Sequence, residues 1–220
     1  MPTLDRDGEV YLLDLGDGEN RFTPDWVGEV AAALDQVAGA DGPRALVTRA
    51  AGKIWSNGLD LDWMGANPEA AGPFVDDVHA LLARALSLPV PTVAACQGHV
   101  FAAGAMLALA HDLRVMRADR GWFCLPEVDI RIPFTPGMSA LIQGRLSHRT
   151  AHEAMTTARR YPGPDALAAG IVDAAVDLDD VVPAAVERAR ALAGTASPAL
   201  GTIKEGMYAH ALQLLRTPAA

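Results

Sequence analysis

Residues Glu9 to Leu15 alternate in polarity and are rich in Val, Tyr and Leu, a pattern that predicts a half-buried strand ended by Gly16-Asp17-Gly18. Thr23-Pro24-Asp25 then supplies a cap residue and a proline at the first helical position, ahead of the apolar-periodic run Trp26 to Val37. This helix closes near Gly39. Arg44 to Thr48 reads as a short buried strand and Arg49 to Gly58 as a loop, and helical periodicity returns from Phe74 to Leu86. Pro89 to Ala95 is a strand by its Val and Thr content, and Gly98 to Gly104 is a glycine-bearing link into the Ala-rich helix Ala103 to Ala110. Asp112 to Met116 and Trp122 to Leu125 are two more strands. From Pro136 the pattern is helical: Met138 to Leu146, His148 to Ala158, Asp165 to Ala169, Val181 to Ala193 and Pro198 to Leu215. The β-α-β-α rhythm followed by helices predicts an α/β domain with a helical C-terminal part.

The chain has 220 residues, half of them apolar, enough to close one core, and no repeat or linker divides it. Its longest apolar stretches, such as Val100 to Ala110, fall short of the roughly 18 consecutive residues that a membrane span needs. The N-terminus MPTLDRDGEV lacks the basic start and apolar centre of a signal peptide, and the C-terminal RTPAA is no peroxisomal address, so a cytoplasmic location is expected. Eighteen basic against 27 acidic residues give a net charge of −9 with no basic cluster, which argues against nucleic acid as a partner. Two of the basic residues are lysines, Lys53 and Lys204. Cys96 and Cys124 sit in apolar runs and are expected to be buried thiols.

Two segments place glycine between a strand and a helix start: Ser56-Asn57-Gly58-Leu59-Asp60-Leu61 and Gly98-His99-Val100-Phe101-Ala102-Ala103-Gly104. Backbone N–H groups exposed at such places can hold a developing oxyanion. Neither is a Walker A loop, because no Lys-Ser/Thr follows. Four stretches, Lys53 to Leu61, Gln97 to Gly104, Leu125 to Ile130 and Ala166 to Asp173, resemble the crotonase (enoyl-CoA hydratase/isomerase) superfamily in order and spacing. The resemblance implies a spiral of βαβ units over residues 1–195 carrying the active site, a shortened C-terminal helical segment over 196–220, and association as a homotrimer or dimer of trimers. It also implies a coenzyme A thioester substrate and no separate cofactor or metal, coenzyme A being part of the substrate. The oxyanion donors fall on the backbone N–H of Leu59 and of Ala103.

Hydratases of this superfamily carry two glutamates. One of those positions is Met106 here, and the other is Glu127. A thioether accepts no proton, so a single carboxylate is left to shuttle one, and the stretches Val128 to Pro133 and Leu141 to Leu146 resemble the Δ3,Δ2-enoyl-CoA isomerase branch. Another crotonase-fold acyl-CoA enzyme (hydratase, thioesterase or decarboxylase) or a silent acyl-CoA-binding relative stays open. Glu127, among Leu125, Val128 and Ile130, is expected to have a raised pKa, and Asp129 would share its face if the segment were strand-like. Lys53, Ser56, Asn57, Gly58 and Lys204 are the candidate substrate and coenzyme A contacts. Trp63, Met64, Met106 and Phe134 are the candidate acyl pocket. Asp60 and Asp62 read as caps, and His148 and His152 as surface residues without a third metal ligand.

Overall fold

A computed structural model describes residues 1–218 of the chain. Its elements are β1 (Thr3–Asp7), β2 (Val10–Asp14), β3 (Arg21–Phe22), α1 (Pro24–Gly39), β4 (Ala45–Arg49), β5 (Ile54–Ser56), β6 (Gly58–Leu59), α2 (Leu61–Ala66), α3 (Pro68–Ser87), β7 (Thr92–Cys96), β8 (His99–Phe101) and α4 (Ala103–Ala110). They continue with β9 (Leu113–Arg117), β10 (Phe123–Cys124), α5 (Glu127–Ile130), α6 (Pro136–Arg145), α7 (His148–Thr157), α8 (Gly163–Ala168), β11 (Ala174–Val176), α9 (Leu178–Leu192), α10 (Pro198–Met207) and α11 (Ala209–Leu215).

Six strands form the main sheet in the order β1-β2-β4-β7-β9-β11, parallel except for the β1–β2 hairpin. Parallel strands are covered on both faces, and here each face has its own core. Val47, Val93, Ala95 and Val115 meet Val181, Ala185 and Ala189 of α9 on one side. Leu46, Ala94, Cys96 and Met116 point to the other side, toward α1, α3 and α4. The mostly apolar strands β4 and β7 thus serve two layers by simple alternation. Both cysteines are free and buried. No described helix is long and apolar enough to cross a membrane.

A second, three-stranded parallel layer has the order β10-β8-β5, and β3 pairs with β6 beside it. This layer carries both glycine segments. Its strands have two or three residues each, which is why Arg49 to Gly58 reads as a loop in the sequence although it contains β5 and the start of β6. β1, TLDRD, escapes the sequence pattern because it is an exposed, charged edge strand. α3 starts at Pro68, earlier than its apolar period, because its first residues are exposed. The expected helix Pro198 to Leu215 is two, α10 and α11, broken at Tyr208 (φ −112°, ψ 21°), whose hydroxyl takes a hydrogen bond from Arg145. The C-terminal segment 196–220 includes residues 219–220, which lie outside the described residues.

The two layers are joined where β5 and β8 begin. An ideal Cβ on Gly98 would lie 2.2 Å from the carbonyl oxygen of Lys53, a contact that no side chain tolerates. His99 N–H donates to that same oxygen at 2.9 Å. Gly98→Ala is therefore expected to push the strands apart and lower unfolding free energy by about 1–3 kcal/mol, read by urea denaturation. Unchanged stability would mean that the two strands can separate at no cost.

Candidate active site

The first donor segment is pinned from below. Asn20, at φ 48°, donates from Nδ2 to the carbonyls of Trp55 (3.0 Å), Ile54 and Gly16. Ser56 Oγ donates to Asn20 O at 2.7 Å and accepts from Gly58 N–H at 3.1 Å. Ser56 is fully buried, so the substrate contact expected of it is corrected: its hydroxyl is spent on backbone. Gly58 adopts φ 77°, and an ideal Cβ there would lie 2.7 Å from the backbone nitrogen of Ala103. Only glycine lets the two donor segments meet. Asp60 N–H donates to Phe22 O at 3.0 Å across the β3–β6 pair, and strand alternation turns the Leu59 N–H the other way, out of this two-stranded ladder. Asp60 Oδ1 caps α2 by accepting from Trp63 N–H at 3.0 Å, as expected.

The second segment turns at Ala102, which holds φ 50° and ψ −128°, a region sparsely used by any residue with a side chain. Its N–H donates to Cys124 O and its carbonyl accepts from Met106 N–H, both at 3.1 Å. α4 then starts at Ala103, whose N–H belongs to the first turn and has no acceptor within the helix. All eight residues of α4 are buried.

Glu127 opens α5, and here the strand-like expectation is corrected. Asp129 N–H donates to Pro126 O at 2.9 Å in a helical turn, and Asp129 is exposed, so it shares no face with Glu127. Val128 and Ile130 are also about half exposed, so of the three apolar neighbours in sequence only Leu125 is buried. Glu127 itself is 7 % exposed, and its Oε2 is buried without a hydrogen-bond partner. Burial drives its pKa up to about 7 against the small opposing pull of its own backbone.

A cavity of about 580 Å³ collects these groups, with Leu59, Ala103, Glu127 and Asn57 in its wall. Met64, Met106 and Phe134 line it too, joined by Val75 and Met138. Trp63 is the exception among the expected acyl contacts: partly buried, it packs edge-on against Phe74, ring centroids 5.0 Å apart, at the margin of the core. Lys204 is a second correction. It is 4 % exposed, with Nζ donating to Val90 O at 2.9 Å and paired with Asp112 Oδ2 at 2.7 Å, so it ties α10 to the main sheet and reaches no ligand phosphate. Burial lowers its pKa, and Asp112 opposes that. Lys53 is exposed. Asp62, the other acid of the cavity wall, is solvent-facing and paired with Arg21 at 3.1 Å.

Two lining residues were not legible as site residues. Arg21 lies on a two-residue strand with no sequence signal. Thr135 caps α6 through Met138 N–H and lies 2.7 Å from Nε2 of buried His79. The Thr135-Pro136 pair repeats the helix-start signature of Thr23-Pro24, but nothing in sequence links it to His79. His148 and His152 are exposed, and the described residues contain no cluster of three metal-ligating side chains.

Residues 8–218 match the model of the enoyl-CoA hydratase/isomerase family. The chain belongs to this family. Among the family's curated members, enoyl-CoA delta isomerase 2, peroxisomal, of Arabidopsis thaliana is 37% identical over 222 residues, which span 94% of this chain and 92% of that protein. A putative enoyl-CoA hydratase of Thermus thermophilus is 30% identical, spanning 92% and 81%. The apo structure of an enoyl-CoA isomerase of Mycobacterium tuberculosis superposes with a TM-score of 0.89 at 30% identity, over 98% of this chain and 94% of that one. Family membership accounts for the crotonase-type α/β fold with its parallel sheet and crossover helices.

A carboxyl group with a raised folded-state pKa favours the fold while it is protonated. Stability from Glu127 is fully present below about pH 4.5, its ordinary value, and is lost as pH rises to about 7. Glu127→Gln is therefore expected to match the wild type near pH 4.5 and to exceed it by about 1–3 kcal/mol at pH 8. Denaturant titrations at the two pH values test this. A Gln variant that is no more stable than wild type at pH 8 would mean that the carboxylate is not desolvated.

Proposed function

We propose that this family member is a Δ3,Δ2-enoyl-CoA isomerase, moving the double bond of a 3-enoyl-CoA to the 2-position. The observation that carries the reading is the cavity's single buried carboxylate, Glu127, with the thioether of Met106 where hydratases of the family carry a second acid. The names of relatives support it in part, since both isomerases and hydratases are among them. In the proposed mechanism the thioester oxygen accepts hydrogen bonds from the Leu59 and Ala103 N–H groups. Glu127 removes a proton from C2, the two donors stabilise the dienolate, and the same carboxyl returns the proton at C4. One oxyanion donor is worth roughly 3 kcal/mol and a positioned base about 10²- to 10⁴-fold, so both devices are needed.

A base with a pKa of about 7 is half ionised near neutral pH and can both take and return a proton there. Met64, Val75, Met106, Phe134 and Met138 receive the acyl chain, and adaptable thioethers accommodate more than one chain shape. An ordered water needs two or more polar partners, and Met106 offers none, which disfavours hydration. Lys53 is retained as a contact to coenzyme A phosphate. Assembly as a homotrimer or dimer of trimers belongs to the same reading, with Ile203 and Met207 of α10, 58% and 67% exposed, as apolar contacts for a second copy.

Offered a 3-enoyl-CoA, the protein is expected to form the conjugated 2-enoyl-CoA, followed by absorbance, with kcat/KM rising as pH passes through about 7. Glu127→Gln should reduce turnover about 10²- to 10⁴-fold while leaving binding of a saturated acyl-CoA in place. 2-Enoyl-CoA should yield little 3-hydroxyacyl-CoA by mass spectrometry. Hydration as fast as isomerisation, or a Gln variant keeping more than about a tenth of the activity, would overturn the assignment.

A further inference from the structure

Among Val75, Phe134 and Met138 in the wall of the catalytic cavity stands one hydroxyl, that of half-buried Thr135. Thr135 caps the start of α6, and behind it lies His79 of α3, 2% exposed and one helical turn beyond Val75. Nε2 of His79 is 2.7 Å from Thr135 Oγ1, and the same oxygen accepts from Met138 N–H at 3.3 Å. Nδ1 of His79 is buried and has no partner.

These contacts fix where the hydrogens go. Burial lowers the pKa of His79, against the pull of Asp76, so the ring is neutral and carries a single hydrogen. On Nδ1 that hydrogen would be a buried donor without an acceptor, a state that folded chains rarely keep. On Nε2 it is donated to Thr135. The hydroxyl oxygen then accepts from both His79 and Met138, which fills its two lone pairs. Its own hydrogen meets no acceptor among the described residues and is left for the cavity. Thr135 is thus a donor only, with His79 as the residue that positions it. The other polar side chains of the wall are differently disposed: Arg21 and Asp62 pair with each other, Asn57 lies on the first donor segment, and Glu127 is the proposed base.

A lone donor in an apolar wall selects a lone acceptor. We propose that the acyl end of the cavity is built for a chain that carries a neutral carbonyl oxygen, an oxoacyl-CoA, whose ketone takes the hydrogen of Thr135. A hydroxyl on the chain would bring a second hydrogen that hydrocarbon and thioethers accept poorly. A carboxylate would bring a charge with no free cation beside it, since Arg21 is held by Glu19 and Asp62. A plain hydrocarbon chain leaves the Thr135 hydrogen buried and unbonded. The inference rests on the acyl-CoA reading of the cavity and adds the substrate class, and it does not depend on which reaction Glu127 serves.

Saturated esters test this without turnover. Octanoyl-CoA is compared by calorimetry with its 5-oxo, 6-oxo and 7-oxo derivatives and with the alcohols made by reducing each ketone. One oxo ester is expected to bind about tenfold more tightly than octanoyl-CoA and than its own alcohol, the span given by a hydrogen bond that satisfies an unmet buried donor. Thr135→Val should bring the ratio of oxo to plain affinity down to about one, and Thr135→Ser should keep it. His79→Phe should lower the same ratio, because the hydroxyl is then free to turn. A general loss of fold would weaken both esters alike and leave the ratio where it was. With an isotope-labelled ketone, the infrared carbonyl stretch should fall on binding to wild type and not on binding to Thr135→Val. A wild type that binds no oxo ester more tightly than octanoyl-CoA, or a preference that survives in Thr135→Val, would overturn the proposal. If octanoyl-CoA itself does not bind, the acyl-CoA reading falls and this proposal with it. If it binds and 3-enoyl-CoA is not isomerised, only the isomerase reading is lost.

Discussion

The site depends on how closely the backbone of the Ser56–Leu59 segment approaches the first residue of α4. Gly58 lies so near the Ala103 nitrogen that a methyl group could not fit between them, and Ser56 and Asn20 fix the segment from beneath. α4 can sit there because it is short, wholly buried and begins with the small residues Ala103, Gly104 and Ala105. The same approach requires an abrupt turn at Ala102. A backbone of that kind costs about 1–3 kcal/mol and persists only where its surroundings hold it, as the bonds to Cys124 O and Met106 N do here. Leu59 and Ala103 thereby come to line one cavity.

Two buried ionisable side chains illustrate opposite uses of desolvation. Lys204 is buried with a carboxylate and a carbonyl as partners, so its charge is satisfied and its role is to fasten α10 to the sheet. Glu127 is nearly as buried, with one carboxyl oxygen that finds no partner. The cost of ionising it is the source of its raised pKa, and a group poised in this way can accept a proton and release it again. The stability of the fold and the reactivity of the site therefore pull against each other at one residue.

The reaction is a local property laid on a shared scaffold. Relatives named as isomerases and as hydratases align over nearly the whole of this chain, so the sheet and its crossovers do not choose between the chemistries. What can differ between them is which side chains enter the cavity beside Leu59 and Ala103. Met106 on α4 and Glu127 on α5 come from different elements and meet in the wall of one cavity.

Apolar runs and their periodicity by themselves determined α1, α4, α6, α7 and the strands β4, β7 and β9, because each is long enough to carry its pattern and is buried on the face that the pattern marks or, in α4, β4 and β7, on all sides. Short motifs in fixed order determined the family and singled out the two glycine segments and Glu127, since glycine at those places has a backbone reason to be there. Tertiary structure alone decided the rest. Ser56 faces the interior, Trp63 packs against Phe74, Asp129 turns away on a helix of four residues, and Lys204 finds Asp112 92 residues away in the chain. Thr135 meets His79, and the rings of Phe101, His99 and Trp122 come together beside Arg160. Sequence spacing encodes which neighbours share a face of one element. It carries no measure of the distance between elements, and burial, ion pairing and pKa are set by that distance.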